Sequence, residues 1–345
     1  MLLGLAGMGM IRRVGLFCDN ILNRDKYLAD LTDRILHFQD IDSAISERVI
    51  DGSVEASNEE GFSVPEVDLS EFSLDYLKES LRTKGCLIVR NFFSTDEVKA
   101  MRSFVDHSFA INSHPDTRVN KYLAKRVDFE PVLRRTRVAI KEKKKQNPTY
   151  VNTAMFGSKL TQPLGEKKSF LTAQTPILVE KLLNLFDEKG LKTLLKDYFG
   201  HDPCVSVYKW ALRRSTPPEA PIDFHQDGAF MGDEISSLNC WVPLSDCGSG
   251  NDVHGLDVVP KRFMSAFQKG SGVMDWTVSE KAVVDAYSEE AIVTPSFRQG
   301  DIFFFDHLLV HRPQSLPNAS CPRYAIETWF FDSVNFPKNQ VPIKW

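Results

Sequence analysis

The chain has 345 residues, 42% of them hydrophobic, with 24 phenylalanines against five tryptophans and a formal net charge of -4. Such a composition can bury a sizeable core, which excludes a solvated, disordered chain. The small negative charge gives no global electrostatic reason for a nucleic acid or membrane partner, and neither is expected.

Six cysteines, at 18, 86, 204, 240, 247 and 321, form no Cys-x-x-Cys pair and no disulfide-like framework, so reduced thiols are expected. The first ten residues are apolar, but Arg12 and Arg13 follow that stretch and do not precede it, unlike a secretory signal. It is also too short to span a bilayer, and the expectation is a soluble, cytoplasmic protein.

In chain order, Ile21, Leu22, Tyr27, Leu28, Leu31, Ile35, Leu36 and Phe38 recur at helical spacing, predicting an amphipathic arm. Such an arm packs on the domain or makes a homo-oligomer contact. The polar, glycine-punctuated stretch 51–61 reads as a linker. Residues 1–75 are therefore taken as arm and linker, and 76–345 as one domain with its site within 205–331.

Ser94 followed by Glu97 is a capping pair that opens a helix through Val98, Met101 and Val105. Between Lys121 and Lys145 lie ten Lys or Arg, read first as a solvated face and second as a patch for an anionic, phosphate-bearing carrier. Helices are predicted over 177–186 and 191–199, ended by Gly190 and Gly200, and strands dominate beyond, starting with 205–212. Parity lets only one of Tyr208 and Lys209 face inward.

The residues with the most chemical meaning come next. His225-Gln226-Asp227 would place two ligands on one side of a strand, because alternate side chains share a face. His311 follows the aromatic run 301–306, which reads as a buried strand. Two imidazoles and a carboxylate are the ligand set of a mononuclear non-haem Fe(II) site with open positions, whereas a structural zinc site closes its tetrahedron, usually with thiolates. Twelve residues beyond His311, Arg323 begins another strand. Its planar fork suits a carboxylate in a way that lysine cannot reproduce. His201, His254 and His307 are read as structural histidines, with His307 the alternative ligand if His311 fails. Asn239 and Gln226 are candidates for polar contacts near the metal.

At this point the chain resembles the phytanoyl-CoA dioxygenase family of Fe(II)- and 2-oxoglutarate-dependent oxygenases. The resemblance rests on His225-x-Asp227, His311 and Arg323 in that order, with Gly300–Asp306 leading into the third ligand. It extends over about residues 76–333, taking in 83–94, 237–244 and 255–263. In the last of these the family usually reads proline-glycine-serine-histidine, and Lys261 replaces the glycine. The resemblance implies an α+β fold, a double-stranded β-helix (jelly-roll, cupin-like) buttressed by helices with an N-terminal helical extension. It implies His225, Asp227 and His311 as Fe(II) ligands, Arg323 as the clamp on 2-oxoglutarate and Trp241 as a further residue of the co-substrate pocket, where Asn239 is the candidate polar contact. Molecular oxygen is the oxidant and ascorbate a reductant.

The implied reaction is hydroxylation of an unactivated C–H bond of a small-molecule or carrier-bound substrate, with succinate and CO2 as co-products. Related halogenases lack the carboxylate, so Asp227 favours hydroxylation or another oxidation such as desaturation. Two other classes fit the same residues: a cupin-type metal enzyme without 2-oxoglutarate, and a non-catalytic jelly-roll binding protein. Residues 110–170, 228–236 and 265–295 are the expected substrate walls, as long irregular segments often are.

Overall fold

The computed structural model describes residues 15–36, 61–112, 145, 169–217, 222–232, 235–267, 270–272, 276–337 and 340–345. The apolar start, most of the linker, the basic run apart from residue 145 and the proposed wall at 113–168 lie outside these residues. Among the described residues no helix is long and apolar enough to cross a membrane.

Chain order begins with helix α1 (Arg24–Leu36), strand β1 (Glu66–Asp68), helix α2 (Leu74–Lys84), strand β2 (Cys86–Arg90) and helix α3 (Thr95–Asn112). Strand β3 (Ser169–Leu171), helices α4 (Pro176–Glu188) and α5 (Leu191–Phe199), and strands β4 (Pro203–Ser215) and β5 (Phe224–His225) follow. Then come the short helix α6 (Gly228–Met231) and strands β6 (Ser237–Pro243), β7 (Cys247–Gly248), β8 (Leu256–Val259) and β9 (Thr277–Val278). Helix α7 (Glu280–Tyr287) precedes β10 (Ser296–Phe297), β11 (Ile302–Phe305), β12 (Val310–Pro313), β13 (Arg323–Asp332) and β14 (Pro342–Lys344).

The predicted helix signals act as the chemistry requires. Ser94 N–H donates to the Glu97 carboxylate at 2.6 Å while Ser94 Oγ accepts from Glu97 N–H at 3.3 Å, satisfying two free donors reciprocally. Gly200 closes α5 at φ 78°, a left-handed position that costs glycine nothing.

An eight-stranded sheet runs β1-β2-β11-β6-β13-β4-β14, with β3 also on β4, and a four-stranded sheet runs β8-β12-β5-β9. Alternation along the large sheet sorts its residues into two cores. Leu87, Val89, Leu238, Cys240, Val242, Ile302, Phe304, Ile326 and Phe330 join the helices. Cys86, Ile88, Trp241, Phe303, Phe305, Ala325, Trp329 and Phe331 join the interior between the sheets, together with Leu256 and Val258 of β8. Helices cover one face of the large sheet and the small sheet covers the other, as in a jelly roll.

The sheet starts with Glu66–Asp68, whose parallel pairing with β2 places these residues in the large sheet. The arm buries its stripe within the chain: Tyr27, Leu31 and Ile35 are buried, and Arg34 Nη1 donates to the Lys344 carbonyl of β14 at 3.1 Å. Among the described residues two members of the predicted stripe depart from it, since Ile21 is 38% and Leu22 80% exposed; Phe38 lies outside the described residues. Helical residues 15–22 end at a bend on Asn23 before α1, so the apolar spacing loses its phase there. The expected irregular wall at 265–295 also contains β9 and α7, the latter opened by Ser279 Oγ accepting from Ala282 N–H at 3.2 Å.

Candidate metal centre

Strand β5 is two residues long, and the ladder it makes with β12 sets His225 directly opposite His311. Cross-strand partners share a face, so the imidazoles meet with ring centroids 4.4 Å apart. Phe224, fully buried, points the other way beneath the Arg312 guanidinium, 4.2 Å from its ring centre.

Asp227 reaches the site by a different route from the predicted one. The strand ends at His225, and Asp227 has helical φ -64° and ψ -26°, its carbonyl accepting from Met231 N–H at 3.0 Å. Asp227 therefore does not share with His225 the strand face that the spacing predicts; a strand-to-helix turn swings the carboxylate onto the imidazoles. Donor atoms of His225, Asp227 and His311 all lie within 4.8 Å of one another, and His311 Nε2 is 3.8 Å from Asp227 Oδ2. Among the described residues this is the one group of three or more metal-binding side chains.

Protonation states suit a cation. Burial, helped by the neighbouring His311, pushes the His225 pKa down to about 3, which leaves the ring neutral as a ligand must be. Burial alone would raise the Asp227 pKa, but the Lys209 ammonium and the two imidazoles carry it down to about 2. His311 Nδ1 lies 3.0 Å from the Leu309 carbonyl and His225 Nδ1 3.4 Å from the Asp223 carbonyl. Donation to these oxygens puts the proton on Nδ1 and leaves each Nε2 lone pair for a metal.

Lys209 Nζ stands 2.5 Å from Asp227 Oδ1. A register shift opposite Trp329 explains why Lys209 and not Tyr208 turns inward. Val205 and Val207 face the helices before it and Trp210 and Leu212 after it, so the bulge reverses parity in between.

The residues expected around the co-substrate are on the same inner face. Arg323 opens β13, 3% exposed, donating Nη1 to the Gly255 carbonyl at 2.8 Å with its guanidinium 6.0 Å from the Trp241 ring centre. Trp241 packs on Phe297 at 4.9 Å. Among the described residues, Asn239, 1% exposed, has no hydrogen-bond partner for Oδ1, and its cross-strand neighbour Trp329 has none for Nε1. Two orphaned polar atoms side by side in a buried interior are what a bound polar molecule would satisfy. Donor chemistry fits Fe(II) likewise: two imidazoles that present Nε2 and one carboxylate, without thiolate.

Two inner-face residues escaped the sequence reading, Arg213 on β4 and Glu327 on β13, which form an ion pair through Arg213 Nη2. Burial opposes ionisation of Glu327, but Arg213 and Lys209 hold its pKa below the usual range against the nearby negative Asp227. Strand parity with Arg323 would have found Glu327, since both are odd-numbered residues of one strand. The alternative histidines serve elsewhere: His307 Nδ1 pairs with Ser237 Oγ at 2.9 Å and His201 Nδ1 with Asp332 at 3.2 Å. Lys261 is accommodated without left-handed backbone, and its N–H donates to the Val259 carbonyl at 2.8 Å in a tight turn.

Fold and donor set together define a jelly-roll enzyme of the non-haem iron class. The chain belongs to the phytanoyl-CoA dioxygenase (PhyH) family, which matches residues 81–322, and its cofactors are those of that family, iron and 2-oxoglutarate. No curated protein matches the sequence. Among solved structures, EctD from S. alaskensis with bound Fe is similar at 16% identity, with 81% of this chain and 84% of that chain covered and a TM-score of 0.51. AviO1 from Streptomyces viridochromogenes Tue57 is similar at 18% identity, with 77% and 97% covered and a TM-score of 0.45. The likeness to EctD concerns the fold.

Proposed function

We propose that the protein is a dioxygenase that hydroxylates, or otherwise oxidises, an unactivated C–H bond of a small-molecule or carrier-bound metabolite. The observation that carries this reading is the convergence of His225, Asp227 and His311 on one point, with Arg323 buried at the start of β13 in the large sheet. His225, Asp227 and His311 would hold Fe(II), which with 2-oxoglutarate and O2 supplies oxidative decarboxylation to succinate and CO2 coupled to substrate oxidation.

The chain's own residues supply orientation. Arg323 would clamp the distal carboxylate of 2-oxoglutarate with a rigid donor fork. Trp241 walls that position, and Asn239 and Trp329 offer an amide and an indole N–H to whatever enters. The phenylalanine-rich interior excludes water from the reacting centre. The Arg213–Glu327 pair and Lys209 give the same chamber fixed charges, favouring a substrate with polar groups near the reacting carbon.

Anaerobically prepared protein, supplied with Fe(II), ascorbate, 2-oxoglutarate and then air, is expected to form succinate, faster with a metabolite extract that contains the substrate. Absence of turnover under every condition, together with unchanged 2-oxoglutarate binding in Arg323→Ala, would overturn the reading.

A further inference from the structure

Of the three ligands, two are placed by the sheet. His225 and His311 face each other across the β5–β12 ladder, so backbone hydrogen bonding sets their separation. Asp227 has no such constraint. It follows the strand and opens a helix of four residues, too short to hold its own geometry. Something else must fix that turn relative to the third ligand.

We propose that Gln226 is the positioning residue that does so, an inference that rests on the metal-site reading above. Its side chain is 1% exposed, and its amide bonds the backbone of two other segments. Nε2 donates to the Leu308 carbonyl at 2.5 Å, three residues before His311, with the Ser265 carbonyl at 3.4 Å. Oε1 accepts from Phe267 N–H at 2.5 Å. One amide thus joins the ligand turn, the approach to the third ligand and the 263–267 segment.

A neighbouring bond runs in parallel: Gly228 N–H donates to the His307 carbonyl at 2.8 Å. A methyl group on Gly228 would lie 2.9 Å from His307 Cδ2, so this approach needs glycine. The 306–309 segment is itself anchored, since Asp306 Oδ1 accepts from Leu308 N–H at 2.9 Å and Ser237 holds the His307 ring. Gln226 therefore fastens Asp227 to a rigid reference and not to another loose loop. Loss of a hydrogen bond that orients a ligand typically costs about 10–100-fold in metal affinity.

The test is titration of the metal-free full chain with Co(II) alone, read by its visible absorption bands. Gln226→Met keeps the side-chain length and removes the hydrogen bonds to Leu308, Ser265 and Phe267. Gln226→Glu keeps the acceptor for Phe267 and removes the donor to Leu308. Tyr27→Phe, which deletes a bond to Asp19 in the arm, is a control for stability alone. Expected are Co(II) affinities about 10–100-fold weaker and altered bands in the Gln226 variants, with Tyr27→Phe binding as wild type. Wild-type affinity and bands in a folded Gln226 variant would overturn the inference, as would an equal loss in Tyr27→Phe. If Gln226→Met does not fold, Gln226→Glu is judged by the same criterion. Failure of the wild-type chain to bind Co(II) would instead overturn the metal site itself.

Discussion

Single side chains decide the chemistry of this protein through charge and geometry. Arg323→Lys keeps the charge and loses the planar fork, so 2-oxoglutarate should bind about 10–100-fold more weakly while turnover at saturation changes less. The split between KM for 2-oxoglutarate and kcat, followed by succinate formation, checks this. A different kind of titration belongs to His107, which burial holds neutral with a pKa of about 4. The unfolded chain binds that proton near pH 6.5, so the folded state is favoured above it and loses stability as pH falls from 6.5 towards 4. The loss reaches about 3 kcal/mol, at about 1.4 kcal/mol per unit. Urea unfolding between pH 4 and 7 should show a shallower pH dependence in His107→Gln than in wild type.

At the level of elements, the sheet depends on a few close approaches between segments. Gly300 precedes β11 at φ +93°, its carbonyl accepts from Phe93 N–H at 2.8 Å, and a methyl group there would lie 2.5 Å from the Phe93 carbonyl oxygen. Asp301 next to it is buried and bonds Arg90 Nη1 at 2.5 Å, tying β11 to β2. Gly300→Ala should cost at least about 2 kcal/mol, measured as a lower denaturation midpoint, because both the backbone conformation and the contact are lost. Helix α1 is held by burial and not by its own propensity. Leu31→Ala, at a fully buried position between α4 and β14, should cost about 2–5 kcal/mol and leave metal affinity unchanged.

For the whole molecule, the metal acts as a ligand of the native state alone, because the three donors converge only in the fold. Binding at a free metal concentration of 100 times Kd should add about 2.7 kcal/mol of stability. Thermal unfolding should therefore shift upward with metal and return with chelator, and Asp227→Ala should show neither response. The two-core arrangement is what permits this: the helix-facing core stabilises the sheet, leaving the inner face to carry charges, the Asn239 amide, the Trp329 indole and a metal site. Inner-face charges such as Lys209 and Arg213 are tolerable there because each has an opposite partner within the chamber.

Short segments carry chemistry that is legible in the residues alone: the donor types at 225, 227 and 311, the caps at Ser94 and Gly200, and the alternation that separates Leu238 from Asn239. These depend on local geometry, and local geometry is written in neighbouring residues. How the donors meet depends on the folded chain. His225 and His311 converge through the β5–β12 register, and Asp227 converges by a helical turn where the spacing alone suggested a strand. Lys209 turns inward because a bulge reverses parity, Glu327 meets Arg213 across a ladder, and Gln226 finds partners on two distant segments. Each of these depends on the pairing of chain segments far apart in sequence, and pairing is set by the packing of the whole sheet.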